Sequence, residues 1–276
     1  MVKLAFTKMH GLGNDFIVFD APASGALAPS VLRSLADRHT GIGFDQALML
    51  EASASPGIAG HYRIFNADGS EVGQCGNGAR CVARLIWERL GQPAEALKLT
   101  CAAGTVTARV GQDGQVMVGM GEPNFEPAAV PFLATDAGAP WTLELEGRHL
   151  EFDVVSMGNP HAVIRVPSAS TASVNEVGAR LEGDRRFPER VNVGFLEVRD
   201  EARAALRVYE RGVGETLACG TGACAAVAVG RRRGWLGPRV EVELPGGRLV
   251  VEWRGPGQEV WMTGPAEKSF EGLIQL

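Results

Sequence analysis

Residues 75–81 read Cys-Gly-Asn-Gly-Ala-Arg-Cys, and residues 219–225 read Cys-Gly-Thr-Gly-Ala-Cys-Ala, so one cysteine–glycine motif occurs twice in the 276-residue chain. The flanking sequence also repeats in the same order. The matching segments lie 143 to 145 positions apart and are Gly13–Val18 with Gly158–Val163, Tyr62–Asn66 with Leu206–Glu210, and Thr105–Val110 with Arg248–Trp253. A constant order and spacing of matching segments predicts a duplicated chain with two halves of the same fold.

The sequence around each motif predicts short strands followed by a helix. Alternating apolar runs predict strands at 2–8, 15–20, 46–51, 61–66, 96–101, 104–110, 115–119, 141–146, 149–156, 161–166, 193–198, 203–210, 239–244, 248–253 and 258–262. Helices are predicted at 29–38, 78–90 and 222–233, and the last two end at glycines suited to a C-terminal cap. The predicted class is α+β: two pseudo-symmetric domains, each a curled, mostly antiparallel β-sheet or barrel around a central α-helix.

The boundary between the halves is predicted near Glu122–Pro127, where glycine, proline and asparagine cluster. We expect an N-terminal half at 1–122, joined by the C-terminal tail 265–276, and a C-terminal half at 123–264. Each half then carries one copy of the motif.

Composition excludes several classes of protein. The net charge of −5 gives no sign of a nucleic-acid-binding surface. The chain has no run of about 18 apolar residues, so no membrane span is predicted. Its start lacks the apolar core of a signal peptide, and we expect a cytoplasmic protein. An odd number of cysteines, 5, argues against a disulfide framework.

A cysteine at the start of a helix is suited to proton transfer. The first N–H groups of a helix have no partner within it, and the helix dipole places partial positive charge there. This position lowers the pKa of a thiol and also binds a carboxylate. If the two halves face each other, Cys75 and Cys219 approach one carbon from opposite sides, and closure of the halves would exclude water. The sequence therefore predicts two-base inversion of a carbon next to a carboxylate.

Other interpretations of the cysteines are less favoured. Cys81, Cys101 and Cys224 are interpreted as buried apolar side chains, and buried packing remains the alternative for Cys75 and Cys219. The spacing within each motif is not the C-x₂₋₄-C of structural zinc sites, so no metal site is predicted. Pyridoxal phosphate would need a Schiff-base lysine, and none of the 4 lysines lies in a glycine-rich motif. We expect no cofactor.

The two motif regions, residues 66–81 and 210–222, resemble the signatures of the diaminopimelate epimerase family. The resemblance extends over the whole chain. Further matching segments are Lys8–Phe16, Met157–His161, Val191–Asn192 and Met262–Ala266. The resemblance implies an isomerase that converts LL- to meso-diaminopimelate without pyridoxal phosphate, in lysine and peptidoglycan precursor biosynthesis.

The family resemblance also implies roles for individual residues. Cys75 and Cys219 are implied to be the acid–base pair, exchanging roles with the direction of reaction. His161 and Glu210 are implied to tune the thiol pKa values, with a structural role as the alternative for His161. The implied substrate-binding residues are Asn14, Gln46, Asn66, Gly76, Asn77, Asn159, Asn192, Glu210, Arg211, Gly220 and Thr221. An arginine among them suits the second carboxylate of diaminopimelate.

The family is typically homodimeric, so a homodimer is implied. Phe270 stands where many members carry a tyrosine at the dimer contact, and phenylalanine lacks that hydroxyl group. No nucleic-acid or membrane partner is expected.

Two other functions compete with this interpretation. A proline racemase or hydroxyproline epimerase would share the fold and the cysteine pair but would need no site for a second carboxylate. Arg211, Asn66 and Asn192 argue against it. A thiol redox protein, or a binding module that retains the fold, is the alternative from another class.

Overall fold

The computed structural model describes residues 3–23, 25–73, 75–134, 138–145 and 147–276. The chain divides into two compact units. The first unit contains Met1–Val118 and Thr263–Leu276, and the second contains Gly119–Met262. Among the described residues, no helix is both long enough and apolar enough to cross a membrane.

The first unit is built from strands and two helices. In chain order its elements are β1 (Lys3–Gly11), β2 (Asn14–Asp20), α1 (Pro29–Ala36), β3 (Gln46–Glu51), β4 (Gly60–Asn66), β5 (Glu71–Val72), α2 (Gly76–Arg89), β6 (Leu97–Cys101), β7 (Gly104–Val110) and β8 (Gln115–Gly119). The C-terminal strand β18 (Glu267–Gln275) pairs antiparallel with β1, so the end of the chain belongs to this unit.

The second unit follows a similar order. Its elements are β9 (Trp141–Leu145), β10 (Arg148–Ser156), β11 (Pro160–Arg165), α3 (Val174–Glu182), β12 (Asn192–Asp200), β13 (Arg203–Glu210), β14 (Gly214–Thr216), α4 (Gly220–Arg232), β15 (Arg239–Leu244) and β16 (Gly247–Glu252). Strand β17 (Trp261–Pro265) begins in the second unit, and its last three residues belong to the first.

Strand pairing within the two units follows one pattern. In the first, β1–β2 is antiparallel, β2–β3 parallel, β3–β4 and β4–β5 antiparallel, β4–β6 parallel and β6–β7 antiparallel. In the second, β10–β11 is antiparallel, β11–β12 parallel, β12–β13 and β13–β14 antiparallel, β13–β15 parallel and β15–β16 antiparallel. Parallel neighbours need a crossover connection, and in both units a helix supplies it. The predicted α+β class with duplicated, mostly antiparallel sheets is confirmed.

The helix that follows each cysteine motif lies in the core of its unit. Every residue of α4 from Gly220 to Gly230 is buried, as the apolar sequence predicts. Helix α2 also buries the polar residues Asn77 and Arg80, and Arg80 Nε donates to the carbonyl of Pro265 at 3.1 Å. This hydrogen bond attaches the segment before β18 to the central helix of the first unit.

Both central helices are followed by the predicted capping glycines, but they end one residue earlier and begin two residues earlier than predicted. Gly91 (φ 76°) and Gly234 (φ 73°) follow the helix ends in the left-handed conformation. The N–H of the next residue returns to the last turn in each case, as in a Schellman motif. The helices start at Gly76 and Gly220 rather than 78 and 222, because Cys75 and Cys219 are themselves the N-cap residues. The glycines therefore form the first turn rather than the loop before it.

The remaining differences from the predictions are local. The predicted helix at 29–38 ends at Ala36, because Asp37 Oδ1 accepts the N–H groups of His39 and Thr40. The strand predicted at 258–262 lies at 261–265 instead, after a turn in which Gln258 N–H bonds to Gly255. Helix α3 and strands β5, β14 and β18 were not predicted. Val2 and Glu146, included in predicted strands, lie outside the described residues.

Candidate functional site

In the first unit, Cys75 is the N-cap of α2, with an extended backbone (φ −147°, ψ 112°). Its carbonyl accepts the Ala79 N–H at 2.8 Å, and its sulfur accepts the Gly78 N–H at 3.4 Å. The side chain is half-buried. An N–H that donates to sulfur, together with the helix dipole, stabilises the thiolate form of this cysteine.

Two asparagines lie beside the Cys75 sulfur. Asn14 Oδ1 is 4.0 Å from Cys75 Sγ, a long contact, and it accepts a hydrogen bond from Asn77 Nδ2 at 3.2 Å. A carbonyl oxygen next to sulfur favours the S–H form, which is the opposite effect to that of the Gly78 N–H. The structure thus gives Cys75 neighbours that support each of its two protonation states.

Gln46 and Asn66 form a second polar pair in the first unit. They are opposite each other in the β3–β4 register, and Gln46 Nε2 donates to Asn66 Oδ1 at 3.0 Å. Asn66 Nδ2 in turn donates to Ser70 Oγ at 3.1 Å. Gln46 Oε1 is buried, and no group of the described residues donates to it. A buried acceptor of this kind is suited to an N–H group of a ligand.

In the second unit, Cys219 is the N-cap of α4 and is 4 % exposed. Its Sγ–H donates to Glu210 Oε2 at 3.1 Å. Burial raises the pKa of the Cys219 thiol well above its ordinary value, and the Glu210 carboxylate raises it further, although the Gly222 N–H and Thr221 act in the opposite direction. The surroundings of Cys219 therefore favour its protonated thiol form, with one oxygen of Glu210 in contact with the sulfur.

Strand pairing places Glu210 next to the thiol. Glu210 is the last residue of β13 and pairs with Gly214 across the short hairpin to β14. Thr216, at the end of β14, donates its hydroxyl proton to Glu210 Oε1 at 2.6 Å. One carboxylate oxygen is thus held by Thr216, and the other faces the sulfur.

A chain of hydrogen bonds links His161 to the same end of α4. His161 Nε2 lies 3.0 Å from Asn159 Oδ1, Asn159 Nδ2 donates to Thr221 Oγ1 at 3.2 Å, and Thr221 Oγ1 is 3.7 Å from Cys219 Sγ. Burial, together with a smaller effect from the charge of Arg211, lowers the pKa of His161 to about 3. The imidazole is therefore neutral near pH 7 and donates from Nε2 to the asparagine oxygen.

Asn192 and Arg211 are joined through the backbone. Asn192 is 4 % exposed; its Nδ2 donates to the Pro160 carbonyl at 2.8 Å, and its Oδ1 accepts the Arg211 N–H at 3.0 Å. The Arg211 side chain is exposed, and its Nη1 donates to the Glu189 carbonyl at 3.2 Å. In this structure Asn192 fixes the turn that carries Arg211, and a direct substrate contact from Asn192 stays a prediction.

Each unit brings its own implied site residues together around one cysteine. The first unit groups Asn14, Gly76 and Asn77 with Cys75. It also pairs Gln46 with Asn66 across strands β3 and β4. The second groups Asn159, His161, Glu210, Gly220 and Thr221 with Cys219, and joins Asn192 to Arg211.

Three polar residues at these sites were missed by the sequence analysis. Asp45 Oδ2 accepts from Asn14 Nδ2 at 2.9 Å, Thr216 holds Glu210, and Glu182 accepts the Gly212 N–H at 2.6 Å. Asp45 could have been inferred, since it immediately precedes Gln46 at the start of a strand. Glu182 could not, because its helix α3 was not predicted.

The described residues include no group of three or more His, Cys, Asp or Glu side chains placed to hold a metal ion. The groups around both cysteines are instead acids, amides and hydroxyls. Such a set can move a proton and bind a polar ligand.

Comparison with known proteins identifies the family. The sequence profile described as diaminopimelate epimerase matches residues 6–126 and 153–269. The diaminopimelate epimerase of Ectopseudomonas mendocina (strain ymp) is 51% identical over 274 residues, which is 99% of each chain. That of Pseudomonas aeruginosa (strain LESB58) is also 51% identical, with the same coverage.

Solved structures with little sequence identity share the fold. A hydroxyproline epimerase from Agrobacterium vitis, with bound trans-4-hydroxy-L-proline, matches with a TM-score of 0.71 at 16% identity, covering 99% of this chain and 92% of that one. A PhzF-family phenazine biosynthesis protein of Bacillus anthracis matches with a TM-score of 0.69 at 16% identity, covering 100% of both chains. These likenesses show the architecture alone. Because the profile covers most of the sequence and the curated relatives match from end to end, the chain belongs to the diaminopimelate epimerase family of isomerases.

Proposed function

We propose that this chain interconverts LL- and meso-diaminopimelate, as a step in lysine and peptidoglycan precursor biosynthesis, with one of Cys75 and Cys219 removing the α-proton and the other delivering its own proton to the opposite face. The observation that carries the proposal is a cysteine at the N-cap of the buried helix in each of two units with the same strand pairing. Family membership supplies the substrate. No cofactor takes part in the proposed reaction.

Inversion at carbon requires a base on one face and an acid on the other. In one direction the Cys75 thiolate takes the α-proton, so that the C–H bond breaks, an S–H bond forms and the electron pair moves into the adjacent carboxylate. The Cys219 thiol then gives its proton to the opposite face of the carbon. The Cys219 S–H contact with Glu210 supports its role as the acid in this direction.

In the reverse direction Cys219 must be the base. The same contact supports this role, because Glu210 can accept the thiol proton and leave a thiolate. Cys75 must then be the acid, and the Asn14 oxygen beside it favours the protonated form. Each cysteine therefore has a neighbour for both of its proposed roles.

The charge that develops on the substrate carboxylate needs stabilisation. We assign this to the first turns of α2 and α4, whose N–H groups and dipoles favour an anion. Both turns are rich in glycine, including Gly76 and Gly220. At Gly222 an added Cβ would lie 3.3 Å from Cys219 Sγ and 3.0 Å from Val208 Cγ2, so only glycine leaves room for the sulfur.

The second amino-acid end of the substrate needs partners of its own. The exposed Arg211 guanidinium suits its carboxylate, because guanidinium and carboxylate form a bidentate ion pair. The buried Gln46 Oε1 suits its ammonium group as an acceptor, with Asn66 beside it. These contacts would exclude proline, which has no second amino-acid end.

The test is a substrate comparison in D₂O. We expect the chain to incorporate deuterium at the α-carbon of LL- and meso-diaminopimelate with inversion, at a kcat/KM at least about 10³-fold above that for proline or hydroxyproline. Chiral chromatography with mass spectrometry measures both configuration and label. Preferential turnover of proline or hydroxyproline would reject the proposal.

We further propose a cytoplasmic homodimer that contacts through β18. Phe270 and Leu273 on this strand are 50% and 62% exposed, which leaves large apolar side chains uncovered in the single chain. Phe270 also packs edge-to-face on Phe6, with ring centroids 6.0 Å apart, so its position is fixed.

Phe270→Asp is expected to raise the dimer dissociation constant at least about 30-fold, the effect of losing an apolar anchor worth about 2 kcal/mol. Sedimentation velocity over a concentration series measures the dissociation constant. Leu90→Asp is the matched control, since Leu90 is 56% exposed at the end of α2 in the same unit. Equal effects of the two substitutions, or a monomeric parent chain, would contradict the proposed contact.

A further inference from the structure

Asp45 lies one residue before β3 and connects the Asn14 side chain to a charged cluster. Its Oδ2 accepts from Asn14 Nδ2 at 2.9 Å and from the Asp15 N–H at 3.1 Å. Its Oδ1 accepts from Arg38 Nη2 at 2.8 Å. Asp45 is exposed and does not contact Cys75 in any of these interactions.

The chemistry of a carboxylate fixes the orientation of the Asn14 amide. An ionised carboxylate can only accept hydrogen bonds, so the Asn14 NH₂ group must face Asp45. The amide oxygen then points the other way, to Asn77 Nδ2 at 3.2 Å and Cys75 Sγ at 4.0 Å. Without Asp45, the oxygen and nitrogen of Asn14 could exchange places.

The cluster behind Asp45 is held in place by Asp15. Asp15 Oδ1 accepts the Asp45 N–H at 3.0 Å, and Arg38 donates to both Asp15 oxygens. Burial opposes ionisation of Asp15, but hydrogen bonds and charges from Arg38 and Lys8 outweigh it and hold the pKa of Asp15 well below its usual range. The reciprocal contacts between Asp15 and Asp45 follow from the parallel β2–β3 register, in which the next residues, Phe16 and Gln46, are paired.

We propose that Asp45 is a positioning residue for the epimerase reaction, which holds the Asn14 amide with its oxygen toward Cys75 and so keeps the protonated form of that cysteine accessible. The catalytic purpose assigned to Asp45 rests on the proposed function. The test follows the alkylation of Cys75 and does not require the protein to turn over a substrate.

The test measures the pH dependence of Cys75 alkylation by iodoacetamide in a Cys219→Ala background, with the modified peptide identified by mass spectrometry. In Asp45→Asn, one amide oxygen must serve the three donors of Asn14, Asp15 and Arg38. Where the new NH₂ group takes the place of Oδ2, it cannot accept from Asn14, and the Asn14 amide rotates to offer its oxygen. The rotated NH₂ points at the sulfur and stabilises the thiolate. We expect the alkylation midpoint to fall by about half a pH unit, so that the rate below the midpoint rises about threefold.

Tyr62 and Cys81, among the described residues, are titratable groups that interact with Cys75, and neither explains such a shift. Burial raises the pKa of Tyr62 well above its ordinary value and that of Cys81 to about 12. Both therefore stay neutral from about pH 6 to about pH 9, where a thiol ordinarily titrates.

Arg38→Met is the matched control, because it removes the ion pairs of Arg38 with Asp45 and Asp15 but leaves the Asp45 bond to Asn14, and Lys8 still donates to Asp15. It is expected to leave the midpoint unchanged. Asn14→Ala removes the acceptor oxygen and should lower the midpoint by itself, which tests the proposal even where Asp45→Asn folds poorly.

In the Asn14→Ala background, adding Asp45→Asn should have no further effect on the midpoint. A midpoint shift that persists in that double variant, or that is equally large in Arg38→Met, would show that Asp45 does not act through Asn14. An unchanged midpoint in both Asp45→Asn and Asn14→Ala would overturn the inference. Because alkylation does not depend on turnover, either result leaves the epimerase proposal to be judged by its own substrate test.

Discussion

Replacing either Cys75 or Cys219 with alanine is expected to abolish net epimerisation, lowering kcat/KM for diaminopimelate at least about 10³-fold. Each thiol serves one face of the α-carbon, so loss of either removes the acid in one direction and the base in the other. Water cannot replace the thiol efficiently, because water is not held at a fixed position on one face of the carbon, and in Cys219→Ala the Glu210 carboxylate no longer has a thiol beside it. The effect is therefore expected in both directions of the reaction.

Deuterium exchange separates this mechanism from a general loss of binding. Each single variant retains one thiol, and that thiol can still exchange the α-proton on its own face without inversion. We expect Cys75→Ala to retain slow α-proton exchange with one epimer and Cys219→Ala to retain it with the other. Mass spectrometry after incubation of each epimer in D₂O measures this exchange. Exchange restricted to opposite epimers is a result that misfolding or weak binding would not produce.

The controls are the buried cysteines of the same two helices. Cys81 in α2 and Cys224 in α4 are both fully buried, and burial raises the pKa of the Cys81 thiol to about 12, so that it cannot act as a base near pH 7. Cys81→Ala and Cys224→Ala should keep kcat/KM within about threefold of the parent, with some loss of stability from the cavity. If either Cys75→Ala or Cys219→Ala inverted substrate at a similar rate, the two-base mechanism would be wrong.

The sequence predicted the helix after each cysteine because the decisive features are local. A cysteine followed by Gly-x-Gly and an apolar helical stretch predicts a buried helix with the cysteine near its start from neighbouring residues alone. Duplication then adds independent support, since the same local pattern recurs with the same flanking strands. The structure confirms both central helices and shows that each cysteine is the N-cap residue. The two-residue error at each helix start arose because a cysteine is seldom considered as a capping residue.

Features that depend on contacts distant in sequence were not predicted. Helix α3 has apolar residues at helical spacing (Val174, Val177 and Leu181), but Gly178 in its centre argues against a helix. That glycine is needed because an added Cβ would lie 2.6 Å from the Tyr209 side chain. Strand β18 is exposed along most of its length, so its own sequence pattern does not predict a strand. Its pairing with β1 is what makes this segment a strand. Neither constraint is visible in a short window of sequence.

The groups that surround each thiol and can exchange its proton could also not be predicted from the sequence. Both motifs are alike in sequence, yet the structure gives Cys219 a carboxylate partner and gives Cys75 an amide oxygen and a backbone N–H. The difference arises at the strand position before each motif, which is Asn66 in the first repeat and Glu210 in the second. A single charged residue therefore separates the environments of two otherwise equivalent thiols.

That difference leads to the second large expected effect. Glu210→Gln is expected to lower kcat/KM about 10²-fold at pH 7. Glutamine keeps the size of the side chain and can still accept a hydrogen bond from Thr216, but it cannot take the proton of the Cys219 thiol. Since the equilibrium between the epimers is independent of the enzyme, kcat/KM must fall by the same factor in both directions.

The pH dependence of Glu210→Gln has a definite sign. In the proposed mechanism of the parent, Glu210 receives the proton of Cys219. In the variant it must pass to solvent, and burial still raises the pKa of the thiol even though the carboxylate no longer adds to it. The thiolate is the base, so its population grows as pH rises. We expect log kcat/KM of the variant to rise with a slope of about 1 per pH unit between about pH 6.5 and about pH 8.5, so that the deficit shrinks at high pH.

Glu215→Gln is the matched control for this profile. Glu215 is a half-buried carboxylate on the neighbouring strand β14, and it pairs with Arg207 at 2.6 Å rather than with the thiol. Its loss should affect thermal stability and leave the shape of the pH profile like that of the parent. A Glu210→Gln profile that runs parallel to the parent profile, at any level of activity, would mean that Glu210 does not receive the Cys219 proton. The asymmetry between the two thiols would then have to reside in burial alone, since burial is the other cause that raises the pKa of Cys219.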